Sequence, residues 1–363
     1  MNKSYSDFLE RFGWDDFYSV TMAKDSSLDW LPARVISEER NLYQVQYGLE
    51  EISWASISGK MQFNAKVRAD YPAVGDWVMI ELRAGSERAA IQLIGPRKTT
   101  IYRKQIGSLS DAQILSTNVD FVFITTSVNE DLNHRRLERY LSIAWDSGSK
   151  PIILLTKSDL IPDQIAKVQL DIQQGFPDVP VHALSKHAMD KADFFSSYLK
   201  TGKTVVFVGS SGVGKSTLVN FLIGNEKIKT QDVREKDGKG RHTTTSRNLY
   251  VSRYGGLLID TPGMRELALT DHKEGLDVQF EDIVSIFPSC KFSDCQHLAE
   301  PGCAVKMALN NKTLSQARWD SYKKLEAEMR LGKRKQDKGM DAENRKKQKK
   351  VKVDARDRGR AKK

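Results

Sequence analysis

Cysteine is scarce: three occur in 363 residues, and none precedes Cys290. An odd, clustered set excludes a disulfide framework and points towards a metal or a reactive thiol. Long apolar runs are missing, since no stretch approaches the roughly 20 residues that a membrane helix requires. The first residues, Met1 to Asp7, lack the basic-then-apolar layout of a signal peptide. A cytoplasmic protein without a membrane partner is expected. Excess charge is also missing from most of the chain. The net charge is +10, and residues 331–363 hold 15 basic and 5 acidic groups, so the preceding 330 residues balance to zero.

That basic tail is expected to be disordered, because such blocks repel themselves and bury little. It reads either as a solubility tail or as an arm that displaces counterions from a nucleic-acid backbone, and we favour the arm. Residues 1–29 read as an N-terminal extension. Residues 30–97 read as β structure. Tyr43, Val45 and Tyr47 alternate with polar neighbours, Trp77-Val78-Met79-Ile80 follows a turn at Gly75-Asp76, and Ile91 to Ile94 ends at Gly95-Pro96. Short strands at this spacing form a small barrel. An oligonucleotide-binding (OB-fold) β-barrel fits the length, and an SH3-like barrel fits the periodicity nearly as well.

Residues 98–270 change pattern. Phe121–Ile124, Ile152–Leu155, Val205–Val208 and Leu257–Ile259 are short continuous apolar runs. Strands buried on both faces of a parallel sheet look like this, and Leu137, Tyr140, Leu141 and Ala144 lie at helical spacing between the first two. A doubly wound α/β domain follows. Residues 271–330 form a smaller, mainly helical unit, with its last helix expected to start near Thr313, where Thr313-x-x-Gln316 resembles a capping box.

The chemistry is carried by motifs. Gly209-Ser210-Ser211-Gly212-Val213-Gly214-Lys215-Ser216, followed by Thr217, matches the phosphate loop between an apolar strand and a helix. Its backbone N–H groups and the helix N-terminus suit phosphate, Lys215 suits the β/γ-phosphates, and the Ser216 hydroxyl suits Mg²⁺. Asp260-Thr261-Pro262-Gly263 ends the last apolar run, with Asp260 facing the Mg²⁺ through water and the Gly263 amide sensing the γ-phosphate. Between them, one of Thr243, Thr244 and Thr245 should complete the Mg²⁺ shell within a polar switch loop.

Thr156-Lys157-Ser158-Asp159 resembles the guanine-reading pattern Asn-Lys-x-Asp. The Asp159 carboxylate accepts from guanine N1–H and the 2-amino group, which adenine cannot offer. Thr156 stands where Asn is usual, which weakens one supporting hydrogen bond. Leu184-Ser185-Lys186 sits where a second guanine loop would fall, and a plain strand-end loop reads nearly as well. The order is permuted: both guanine motifs precede the phosphate loop. A compact domain tolerates this, because its termini lie close enough to be rejoined.

Cys290-x₄-Cys295-x-His297-x₅-Cys303 offers three thiolates and one imidazole, a closed tetrahedral set of the structural zinc type. With Gly240-Arg241-His242-Thr243-Thr244-Thr245 and Asp260-Thr261-Pro262-Gly263-x-Arg265-Glu266-Leu267, the chain resembles the bacterial ribosome small-subunit-dependent GTPases, a circularly permuted family. The resemblance covers roughly residues 30–330. It implies an N-terminal OB-fold, a central GTPase domain and a C-terminal zinc domain. It also implies GTP hydrolysis stimulated by the 30S subunit, contact with 16S rRNA, a role in late subunit maturation, one structural Zn²⁺, and Mg²⁺ with GTP. A monomer is expected.

One usual group is missing. Where many GTPases place a water-orienting glutamine, this chain has Met264. Intrinsic hydrolysis should then be slow until a partner or another switch residue completes the site. His242 is a candidate for orienting water and equally a candidate for binding. The alternative is a GTP-gated rRNA-binding module with negligible turnover. Because the zinc unit follows Gly263 closely in sequence, ordering of residues 236–266 by GTP is expected to reorient it relative to the barrel.

Overall fold

The structure is a computed structural model. It describes residues 3–22, 29–39, 42–83, 85–103, 113–129, 132–187, 193–224, 247–260, 274–298, 300–327 and 329–330. Two helices come first, α1 (Lys3–Arg11) and α2 (Asp16–Met22). Five strands then form the barrel: β1 (Leu31–Glu39), β2 (Leu42–Gln46), β3 (Ile52–Ile57), β4 (Trp77–Glu81) and β5 (Arg88–Ile94), with helix α3 (Gly59–Asn64) between β3 and β4. Their order is β1-β2-β3-β5-β4, and β4 closes back onto β1. Only β3 and β5 run parallel. Between the two barrels the sequence left open, this arrangement fits the OB-fold.

Alternation explains the barrel core. Ala33 and Val35, Tyr43 and Val45, and Val78 and Ile80 point inward and are buried together. The intervening Trp77 and Met79 point outward, yet they are also buried. Their cover is the first segment of the chain. Phe8, Phe12, Tyr18 and Met22 join Trp77 in a separate core, with the Trp77 ring 4.9 Å from Trp14 and 6.0 Å from Phe8 between centroids. Residues 3–22 are therefore structural: they supply the outer wall that lets an apolar strand be buried on both faces.

The nucleotide domain follows β6 (Thr100–Arg103) and β7 (Gln113–Thr117), a separate two-stranded sheet. It comprises β8 (Phe121–Ser127), α4 (His134–Asp146), β9 (Lys150–Thr156), α5 (Ile165–Gly175), β10 (Val181–Ala183) and α6 (Phe194–Tyr198). After these come β11 (Thr204–Val208), α7 (Lys215–Ile223), β12 (Arg247–Val251) and β13 (Leu257–Asp260). The strands β10-β9-β8-β11-β13 are parallel, and β12 is antiparallel beside β13. The two faces are both covered. Val122, Ile124, Ile153, Leu155, Val206 and Val208 pack on one side, and Phe123, Ile152, Leu154, Val205 and Phe207 on the other. Continuous apolar runs are what such strands require.

The sheet does not stop at the domain. β12 pairs with the barrel strand β1, setting Ser37 against Asn248 and Glu38 against Arg247, so eleven strands form one sheet. Arg247 also pairs with Glu38 at 3.3 Å and donates to the Ile114 carbonyl at 3.0 Å.

The remaining helices are α8 (Glu274–Gln279), α9 (Glu281–Val284), α10 (Ala304–Asn310) and α11 over 316–327. Tyr322, Leu325 and Met329 are buried, as their spacing predicts. The expected start of the last helix at Thr313 is corrected. The Thr313 hydroxyl donates to the Ala308 carbonyl at 3.1 Å and so closes α10, while Ser315 Oγ caps α11 by accepting from the Arg318 N–H at 3.2 Å. The helical unit docks on α4. Ser142 Oγ donates to Gln279 Oε1, the Gly275 N–H donates to Asp146 Oδ1 at 2.6 Å, and Arg318 lies 3.9 Å from Glu138. No described helix is long and apolar enough to cross a membrane.

Candidate functional site

Parallel strands bring the motifs together at one edge of the sheet. β9 ends in Thr156, β11 leads into the loop from Gly209, and β13 ends in Asp260. The carboxyl ends of parallel strands are where open α/β sheets bind ligands.

The phosphate loop has the backbone its sequence requires. Gly209 has φ +144°, and a Cβ there would collide with the Thr125 carbonyl oxygen of β8. Only glycine lets the loop leave β11 so close to its neighbour. Gly214 stands at the N-cap of α7 in the left-handed region, with no side chain capping the helix. An N-cap without a side chain leaves the positive end of α7 suited to an anion. Lys215 Nζ donates to the Gly209 carbonyl at 2.7 Å and to the Ser210 carbonyl, so its ammonium lies across the loop. Ser211 and Gly212 are exposed, Ser210, Gly214, Ser216 and Thr217 are half-buried, and Val213 is buried.

Asp260 stands opposite Asn248 on β12. Burial raises its carboxyl above the usual range, against the pull of the Lys215 ammonium. An acid in this setting is poised to gain from a cation. Gly263, His242, Thr243, Thr244 and Thr245 lie outside the described residues, as do Met264 and the tail over 331–363.

Thr156 keeps one supporting hydrogen bond where the usual Asn would stand. Its hydroxyl lies 2.7 Å from the Val213 carbonyl of the phosphate loop and 3.2 Å from the Thr126 carbonyl. The single proton goes to the nearer oxygen, so threonine supplies a tie between the two loops despite lacking an amide. Lys157 adopts φ +58°, and Ser158 to Leu160 form a short 3₁₀ turn that leaves Asp159 exposed. The two segments expected to read guanine touch: Ser158 N–H donates to the Leu184 carbonyl at 3.0 Å, and Leu184 N–H to the Leu155 carbonyl at 2.7 Å. Ser185 Oγ accepts from the His187 N–H at 3.2 Å, and Lys186 is exposed.

Sequence reasoning missed Arg136. It lies in the first turn of α4, whose N-cap Asn133 accepts from the Arg136 N–H, and its Nη1 donates to Ser210 Oγ of the phosphate loop. No spacing rule links positions 136 and 210, and only the parallel pairing of β8 with β11 brings them together.

Cys290, Cys295, His297 and Cys303 converge, with all four ligand atoms within 4.8 Å of one another. His297 Nδ1 is 3.6 Å from both Cys290 Sγ and Cys303 Sγ. The imidazole is stacked on Phe287 at 4.4 Å and meets Trp319 edge-on at 5.8 Å, which fixes its ring plane. Burial pushes the Cys290 thiol up, but the Ala304 and Val305 amides and the neighbouring thiols more than offset this and bring it below its ordinary value. Burial also pushes the Cys295 thiol up, and there it prevails. The donor set fits a metal ion, because these thiols ionise together only with a cation between them.

Fold and site together define a circularly permuted phosphate-loop GTPase, a GTP-hydrolysing enzyme. The model of the RsgA GTPase family matches residues 94–270. The small ribosomal subunit biogenesis GTPase RsgA 2 of Lactiplantibacillus plantarum is 44% identical over 318 residues, 86% of this chain and 88% of that protein. RsgA 1 of Oceanobacillus iheyensis is 42% identical over 346 residues, 94% and 97% of the two chains. The crystal structure of YloQ, described as a circularly permuted GTPase, superposes with a TM-score of 0.60 at 26% identity, covering 84% of this chain and 97% of that one. The chain belongs to the RsgA GTPase family.

Proposed function

We propose that this enzyme hydrolyses GTP on the 30S ribosomal subunit, assists or checks late maturation of that subunit, and dissociates after hydrolysis. The observation that carries this reading is the match, along most of both chains, to relatives named small ribosomal subunit biogenesis GTPases. The 16S rRNA is then the surface contacted, the basic tail an additional arm on it, and the cytoplasm the place of work. An RNA clamp with negligible turnover is not favoured by membership of a GTPase family.

In this reading, Gly209 to Thr217 hold the phosphates and Lys215 swings from its loop carbonyls to the β/γ oxygens. Asp159 reads guanine, with the Lys157 stem over the base and Thr156, Ser158, Ser185 and Lys186 shaping the pocket. Ser216, one of Thr243, Thr244 and Thr245, and Asp260 would hold Mg²⁺, which would neutralise charge on the phosphates. Gly263 senses the γ-phosphate, and His242 is the candidate for orienting water where Met264 cannot. Thiolates with one imidazole in a closed set select Zn²⁺ as the structural ion at Cys290, Cys295, His297 and Cys303.

Phosphate release measured against a titration of 30S subunits tests the proposal. Stimulation that saturates with subunit concentration is expected. A rate indifferent to 30S subunits would sink it. Deleting residues 331–363 should weaken the apparent affinity and flatten its salt dependence.

A further inference from the structure

Two cationic side chains converge on one residue of the loop from Gly209. Lys215 Nζ donates to the Ser210 carbonyl, and to the Gly209 carbonyl at 2.7 Å, while Arg136 Nη1 donates to Ser210 Oγ. The two contacts differ in kind. Lys215 grips backbone, and it belongs to α7, the helix that the loop itself opens. Arg136 grips a side chain, and it comes from a different helix, α4, which follows β8.

The difference matters once phosphate enters. An ammonium group shared between loop carbonyls is drawn to the β/γ oxygens. Lys215 then loosens its hold on residues 209 and 210, just when the loop amides must stay aimed at the anion. The bond from Arg136 to Ser210 Oγ takes no part in that exchange.

Arg136 is mounted on a fixed helix. Its own N–H donates to the N-cap side chain, Asn133 Oδ1, at 3.2 Å. Leu137, Tyr140 and Leu141 bury the next turns of α4 in the core. Farther along, Ser142 Oγ donates to Gln279 Oε1 and Asp146 Oδ1 accepts the Gly275 N–H at 2.6 Å, which ties the helix to the helical unit. A site group is held precisely when its supporting element is held in this way. A guanidinium also stays protonated at any working pH, so the contact does not titrate away.

We propose that Arg136 is a positioning residue of the nucleotide site: by holding Ser210, it keeps the phosphate loop in its anion-binding shape as Lys215 moves to the phosphates. This rests on the reading of residues 209–217 as the phosphate loop, and adds a group outside that loop on which its shape depends. Arg136 acts through Ser210 and not on the γ-phosphate, so GDP and GTP gain alike. Its contribution is to binding, and the chemical step is left to other groups.

The test uses the full chain with a fluorescent GDP and a fluorescent, non-hydrolysable GTP analogue. Arg136→Ala should weaken both about 10-fold, the lower end for a hydrogen bond to a charged group, because Ser210 is only half-buried and water can replace the lost donor. Ser210→Ala should weaken both to a similar extent, and the double variant little further, since the two residues act as one pair. Arg136→Lys keeps a charged donor and should recover part of the loss. In steady-state hydrolysis, KM for GTP should rise in Arg136→Ala with kcat unchanged, the mark of lost uniform binding and not of a damaged reaction centre. Urea unfolding checks that each variant is folded under the assay conditions.

Wild-type affinity in Arg136→Ala would overturn the inference. Losses that multiply in the double variant would overturn it too, because Arg136 would then act independently of Ser210. A loss confined to the GTP analogue would also overturn it, and would make Arg136 a γ-phosphate ligand. Failure of the phosphate-loop reading is seen separately, as a Lys215→Ala variant that binds both nucleotides as the wild type does.

Discussion

The Thr156 hydroxyl lies 2.7 Å from the Val213 carbonyl oxygen, so one hydrogen bond joins the loop proposed to read guanine to the loop proposed to hold phosphate. Both ends are buried. Thr156→Val keeps the shape and removes the donor. Nucleotide affinity should fall about 5- to 30-fold, the value of one buried hydrogen bond with its orphaned acceptor. Titration with a fluorescent GDP analogue measures it, and an unchanged Kd would show that the tie carries no binding energy.

Phe8 is fully buried against Trp77, although it belongs to the segment that precedes the barrel. Phe8→Ala should cost about 3–5 kcal/mol in denaturant unfolding, as for a phenylalanine in a domain core. A loss near zero would mean that α1 is a detachable appendage.

Gly275 sits against α4 so closely that a Cβ would overlap the Ser142 carbonyl oxygen and Asp146 Oδ1. Gly275→Ala should therefore push the helical unit off α4, destabilising the chain by about 1–3 kcal/mol. Hydrogen exchange should show faster amides in α8 and α4 with β8–β9 unaffected. Uniform protection across α4 and α8 would contradict the docking.

Glu138 faces Arg318 across the same contact. Burial raises its carboxyl above the ordinary range, and the Ser321 hydroxyl and Arg318 offset this only in part. The folded chain then holds this proton to higher pH than the unfolded chain. Its contribution is complete below the ordinary carboxylate range and is lost as pH rises through the raised folded value. Relative to Glu138→Gln, the wild type should lose stability as pH rises through that window. Urea midpoints at a series of pH values, compared between the two proteins, provide the measurement. Parallel curves would refute it.

Metal analysis of the purified chain should find about one zinc ion, and Cys303→Ser should bring the content close to zero. Chelation should remove the zinc-dependent step from thermal unfolding while leaving guanine-nucleotide binding in place, because the cluster sits in the helical unit rather than at the phosphate loop. Zinc-free protein with an unchanged melting profile would count against a structural ion.

The sequence revealed most where a local rule applies. Gly209 to Ser216 can be read because a phosphate loop is built from consecutive backbone positions. Cys290 to Cys303 can be read because a metal gathers ligands that lie close in the chain. Tyr43 and Val45 betray a half-buried strand by their alternation. Arg136 and Ser210, or Glu38 and Arg247, stand 74 and 209 residues apart and meet only through strand pairing, which leaves no trace in a window of residues. The helices of residues 3–22 had a weak signal in Phe8 and Phe12, four apart. The all-apolar run Trp77–Ile80 carried a second: β4 is buried on both faces, so something must cover its outer side.

The union of barrel and nucleotide domain in one sheet also bears on aggregation. A strand edge with unpaired backbone groups is a template for another chain. Here β12 would be such an edge, but β1 pairs with its first two residues, Arg247 and Asn248, and barrel closure consumes the far end by pairing β4 with β1. Within the eleven-stranded sheet, only β10 has a neighbour on one side alone, and it is three residues long. Among the described residues, the eleven-stranded sheet therefore leaves a second copy only short stretches to extend, β10 and the remainder of β12.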